Sequence, residues 1–157
     1  MNQSSIPVPN FVIALAVLMP VLYLQLSTRP LRERPLTAVI LVIAGAAETV
    51  PAASRITLSL RDTGLLLLSL IIGIALAAVR ALTIRIWADG DRVLRRGTIL
   101  TALLWPASLV QHVVVTASVA GGLASPTLLI YFGLVLAAQH QILMIRARSQ
   151  GLPARPA

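Results

Sequence analysis

The sequence predicts an all-α polytopic membrane bundle of about five transmembrane helices, with a short cytoplasmic β-hairpin. Three observations carry this. The 157 residues are 57% hydrophobic and only 11% charged, whereas a soluble domain holds about 25% charged residues. The apolar residues come in blocks, and residues 1–28, 63–79 and 97–145 hold no Asp, Glu, Lys or Arg. A span needs roughly 20 mostly apolar residues, so the last block is long enough for two spans and a turn. Finally, arginines gather between the blocks, as they do in loops facing the cytoplasm.

Span one is expected at 8–26. Pro9 suits a helix start, Pro20 a kink, and Tyr23 the inner interface. Residues 1–10 lack the basic stretch of a signal peptide, so this block reads as an uncleaved span with its N-terminus outside. A short basic loop follows with Arg29, Arg32, Glu33 and Arg34. Span two, at 36–50, is short and contains Gly45 and Glu48, and Pro51 ends or kinks it. The segment 52–60 carries Arg55 and reads as an interfacial helix or an extension of span two.

Span three is expected at 63–82, with Arg80 near its inner end. Gly73 and Ala77 stand four apart, a pair of small residues that lets another helix approach closely. The polar stretch 83–97 alternates on both sides of Asp89-Gly90, which is a strong short-range hairpin signal. Span four, at 98–120, contains a Trp105-Pro106 kink. Gly121-Gly122 and Ser125-Pro126 then make a turn into span five at 127–145. Residues 1–148 thus form one transmembrane domain, and 149–157 a disordered tail.

Charge sets the orientation. With the N-terminus outside and the C-terminus cytoplasmic, eleven of the thirteen arginines lie on the inner side, leaving Arg55 and Arg61 outside. This predicts a multi-pass protein of the cell membrane. The net charge of +8 then reflects topology, and nucleic acid is not an expected partner.

Ionisable groups inside a span are costly and are functional hypotheses by default. Glu48 and His112 lie ~18 Å and ~21 Å from the inner surface at about 1.5 Å per residue. At such similar depth they could pair, to relay protons or hold an ion. The plainer reading is a hydrogen bond that fixes packing, or a Glu48 at the outer mouth. His140 lies only ~9 Å deep, too far from the level of His112 for the two to flank one haem. No cofactor and no metal site is expected. Gln111-His112 and Gln139-His140-Gln141 read as interhelical hydrogen-bonding groups. Asp89-Gly90-Asp91 resembles the start of a calcium loop but lacks its later ligands and closing Glu, so it reads as turn chemistry.

The absence of cysteine excludes disulfides and thiol chemistry within the chain. There is no Ser-His-Asp arrangement, Gly-rich phosphate loop or HExxH, so no catalytic residue is assigned and no enzyme is expected. The best recognition surface is the hairpin. Trp87 would sit at headgroup level, while Arg85, Arg92, Arg95 and Arg96 would meet anionic lipid or an acidic partner. Ordinary inside-positive charge is the plainer reading of those arginines.

Residues 73–110 carry a longer pattern: a span with Gly73, Ala77 and Arg80, then Thr83, Arg85 and Trp87, then Asp89-Gly90, a basic strand, Gly97, and a span with Leu104-Trp105. This pattern resembles the CcdC-like family of small actinobacterial membrane proteins, a domain of unknown function, over about a quarter of the chain. The resemblance implies a multi-span membrane protein with no established activity. The family name comes from a neighbourhood with cytochrome c maturation genes, and the lack of cysteine here speaks against a thiol-relay role in such maturation. The expected function is non-enzymatic interaction through the hairpin with membrane lipid or with a partner membrane protein, a homo-oligomer included. The alternative is a small transporter or channel subunit built on Glu48 and His112.

Overall fold

A computed structural model of the chain describes residues 26–31, 35–55, 57–119 and 127–152, together with Met19 and Tyr23. In chain order the elements are β1 (Arg29–Pro30), α1 (Leu36–Ala53), α2 (Leu60–Thr83), β2 (Arg85–Asp89), β3 (Arg92–Arg96), α3 (Ile99–Thr116) and α4 (Thr127–Ser149). All four helices are long and apolar enough to cross a membrane. Span one at 8–26 lies outside the described residues apart from Met19, Tyr23 and Leu26, which are helical. Arg32, Glu33, Arg34 and the 121–126 turn also lie outside them.

Helix α1 runs through Pro51 to Ala53. A proline in the last turn removes one backbone donor, and the turn closes anyway, with Ser54 N–H donating to the Val50 carbonyl at 3.0 Å. Among the described residues of 52–60 no separate helix forms between α1 and α2. Ser59 is extended and, with Asp62, builds a capping box that starts α2 at Leu60. Asp62 N–H donates to Ser59 Oγ at 3.1 Å, and Ser59 N–H returns a bond to Asp62 Oδ2 at 3.2 Å. Helix α2 has 24 residues, about 36 Å at its usual rise.

The predicted hairpin forms, with its turn shifted by one residue. Asp89 pairs with Arg92, so the two-residue loop is Gly90-Asp91 and Asp89 belongs to β2. Gly90 has φ +58°, and no described non-glycine residue has positive φ, which defines a type II′ turn. The basic loop before α1 is not wholly irregular. Arg29 pairs with Arg95 and Pro30 with Leu94, making a three-stranded sheet in the order β1-β3-β2. Leu31 N–H extends that edge by donating to the Val93 carbonyl at 2.8 Å. A proline is acceptable here because β1 is an edge strand.

Helix α3 opens on a Thr98/Thr101 cap and ends at Thr116, four residues before the expected end of span four. Val119 N–H turns back to the Thr116 carbonyl at 3.0 Å. Helix α4 runs four residues beyond the expected end of span five. It closes on Gly151 at φ +65°, with Leu152 N–H donating to Ala147 and Gly151 N–H to Arg148, a Schellman cap. Residues 149–152 therefore belong to the helix end and not to a tail, while 153–157 lie outside the described residues.

Helix α4 packs on α1 and on α2, and α2 packs on α3. Glycines set the distances. A Cβ at Gly133 would stand 2.8 Å from Val42 N and 2.9 Å from Ala38 O. A Cβ at Gly45 would meet the backbone of Leu129 and Ile130, so α1 and α4 touch at glycine from both sides. Gly73, on the predicted small-residue face of α2, receives the Tyr131 ring of α4, and Ala77 is fully buried one turn below. Gly133→Ala should therefore lower stability by ~1–3 kcal/mol through overpacking against backbone. Gly64→Ala, where a Cβ meets nothing within 4 Å, should instead be neutral or gain up to ~1 kcal/mol of helix propensity. Thermal unfolding of both variants in detergent, followed by circular dichroism, checks the contrast.

Candidate functional site

Polar side chains concentrate at two levels. The first is inside the bundle. Ser69 of α2 lies 2.9 Å from His112 Nδ1 and accepts from Gln111 Nε2 at 2.9 Å. Gln111 Nε2 also reaches the Ser69 carbonyl at 3.2 Å. Tyr131 O–H donates to the Ser108 carbonyl at 3.0 Å, which leaves Ser108 Oγ as the donor in their 2.6 Å hydroxyl contact. The Tyr131 ring stacks on His112 with centroids 4.2 Å apart. Three helices thus contribute to one buried network.

Glu48 is not brought to this network. It is exposed on α1, a helix that packs on α4, whereas His112 is buried between its Ser69 and Tyr131 partners. Equal depth along the membrane normal did not place the two on facing sides. Of the other polar triplet, Gln139 is buried, His140 half-buried and Gln141 exposed.

The second level is the sheet end. Helix α2 stops at Thr83 and β2 begins at Arg85, while β3 ends at Arg96, two residues before the Thr98 cap of α3. Thr83 and Thr101 bond across at 2.8 Å. Arg146 of α4 donates to the Ala81 carbonyl and, at 3.0 Å, to that of Ile84, tying the end of α4 to the end of α2.

Residues opposite one another in an antiparallel sheet share a face. The pairs Arg85–Arg96, Trp87–Leu94 and Asp89–Arg92 therefore form one face, and Ile86–Arg95–Arg29 with Ala88–Val93 form the other. On the first face Arg85, Arg92 and Arg96 are exposed, and Trp87 is 37% exposed. The second face meets the bundle. Val93 is buried, and Ile86 packs on a cluster of Ala81, Ile84 and Leu143. Four of the five predicted hairpin residues are thus together, and Arg95 is turned away from them. Burial, and then the facing Arg29, hold its guanidinium below the usual arginine pKa.

Arg80 lies in the last turn of α2, at the end where the sequence places it, but not at the surface. It is fully buried, with Cζ 4.0 Å from the centroid of the Trp105 ring. Neither this pairing nor the roles of Ser69, Ser108 and Tyr131 were drawn from the sequence. One signal was available: from a paired hairpin α2 and α3 run antiparallel, so Arg80 and Trp105 fall at matching levels one turn beyond Thr83 and Thr101.

The chain matches no protein-family model, no curated protein and no solved structure in the three comparisons made. The network at Ser69 yields a direct expectation. Ser69→Ala removes two bonds to Oγ, each worth ~0.6 kcal/mol and at most about 1.7 in membrane bundles. The variant should lose ~1–2 kcal/mol in a reversible unfolding titration, whereas Glu48→Gln, on an exposed face, should leave the midpoint in place.

Proposed function

We propose that this chain is a non-enzymatic multi-pass membrane protein whose sheet binds anionic lipid headgroups. The observation that carries the reading is the strand register, which gathers Trp87 with Arg85, Arg92 and Arg96 on one exposed face. The sheet is joined to α2 and α3 by one or two residues, so it stays near the ends of two apolar helices. The headgroup region spans only about 5–7 Å beyond the hydrocarbon. Tryptophan favours that layer, and each arginine near an anionic surface contributes about 1 kcal/mol. The like-charged Arg29–Arg95 pair on the other face adds positive potential at the same end.

In this reading the sheet faces the cytoplasm, span one completes five crossings, and the N-terminus lies outside. With Arg80 withdrawn into the bundle, the inner side still holds ten arginines against two. The CcdC-like resemblance of residues 73–110 belongs to the same proposal, since its polar portion is this hairpin. The buried network has the composition of a packing device, and its histidine is reached by no described carboxylate.

The test uses the full chain in neutral detergent, with Trp105→Phe so that Trp87 alone fluoresces. Phosphatidylglycerol should shift Trp87 emission saturably where phosphatidylcholine does not. The triple variant Arg85→Gln, Arg92→Gln, Arg96→Gln should weaken that response at least ~10-fold, given about 1 kcal/mol per arginine. High salt should do the same. An unchanged response in the triple variant would sink the lipid reading and leave an acidic protein partner for this face.

A further inference from the structure

The described residues contain a concentration of hydrogen-bond donors with no acceptor. Arg80 is 0% exposed and Trp105 is 1% exposed. The Arg80 nitrogens Nε, Nη1 and Nη2, and the indole Nε1 of Trp105, are all buried, and none has a hydrogen-bond partner. The guanidinium Cζ lies over the indole ring, 4.0 Å from its centroid, so the two donor groups are neighbours. A guanidinium carries five N–H groups and an indole one. A tryptophan face attracts a cation, but it leaves every one of those N–H groups unused.

Buried charges are normally paired and hydrogen-bonded. The described carboxylates are elsewhere. Glu48 is exposed on α1, and Asp89 and Asp91 are exposed at the hairpin turn. Asp62 is engaged in the cap of α2, eighteen residues before Arg80, about 27 Å along the helix. Every unpartnered atom of Arg80 and Trp105 belongs to a donor group, so the missing chemistry at this pair is an acceptor with negative charge. A carboxylate offers about four lone-pair sites, fewer than the six donors present. A phosphate group offers more oxygens, and the planar guanidinium fork matches phosphate in bidentate fashion.

We propose that Arg80 and Trp105 form an intramembrane site for a phosphate group, one helical turn in from the sheet end of the bundle. The phosphate comes either as free phosphate or as the headgroup of a lipid lying against the helices. The site uses none of the sheet residues, so it stands or falls apart from the lipid-binding face.

The test uses the full chain with Trp87→Phe, which leaves Trp105 as the only tryptophan of the two in the sequence. In dodecylmaltoside, a detergent without phosphate, and at constant ionic strength, one arm titrates inorganic phosphate and the other phosphatidylglycerol. At least one arm should change Trp105 emission saturably, and which arm responds identifies the source of the phosphate. Arg80→Gln should abolish the response. Arg80→Lys keeps the charge, and so serves if Arg80→Gln fails to fold. It should weaken binding at least tenfold, because an ammonium lacks the fork. No saturable response in either arm, or equal affinity in wild type and Arg80→Lys, would overturn the proposal. So would a response that emerges only in Glu33→Gln, because Glu33 would then be the internal counter-ion.

Discussion

Apolar helices in lipid gain little from meeting one another through leucine, because lipid tails solvate leucine equally well. What holds these helices is close approach. Gly45 and Gly133 let the α1 and α4 backbones meet, and Gly73 admits the Tyr131 ring against α2. That last contact organises the interior. With its ring against Gly73, Tyr131 stacks on His112 and bonds Ser108, while Ser69 links to Gln111 and His112. The polar network is therefore a product of the packing: at each point a small residue on one helix makes room for a polar or aromatic group from another.

The sheet fixes the other end. Strands β2 and β3 hold the ends of α2 and α3 together, and Arg146 adds α4 by bonding carbonyls at the C-terminus of α2. A cation there also complements the helix dipole. The pairing sets the relative depth of α2 and α3, which is why Arg80 and Trp105 meet. Sheet register and bundle interior are thus one constraint expressed at two levels, and side-chain period ties them. A one-residue slip of β2 against β3 would turn Trp87 toward the bundle and Ile86 away from it.

The helices in the described region were legible because hydrocarbon demands long apolar runs, and the hairpin because alternation around Asp89-Gly90 is local. The helix ends were less so. Ser59 with Asp62 is a capping box readable in sequence, yet the apolar run alone put the start of α2 three residues late. Strand β1 could not be read at all: two residues carry no period, and their partner lies more than sixty positions away. The candidate sites divide in the same way. The Trp87 face follows from a period of two, with Arg95 on the wrong side of it. The pairing of Glu48 with His112 followed from depth alone, and depth says nothing about which side of a helix a residue occupies. Arg80, placed at the inner end of span three, counts toward the inside charge, because a sequence gives its position along the helix but not its burial.

The short strand β1 carries a consequence about parity. Arg29 and Pro30 are hydrogen-bonded neighbours of β3, so the chain between them must return to the side of the membrane it left. The number of crossings between those points is even. Helices α1 and α2 are the elements between β1 and the hairpin, so they share one fate and neither can cross without the other. Where the stronger apolar run crosses, the weaker crosses with it. During synthesis β1 has no partner until β3 has emerged, so the sheet closes only after both helices have been made.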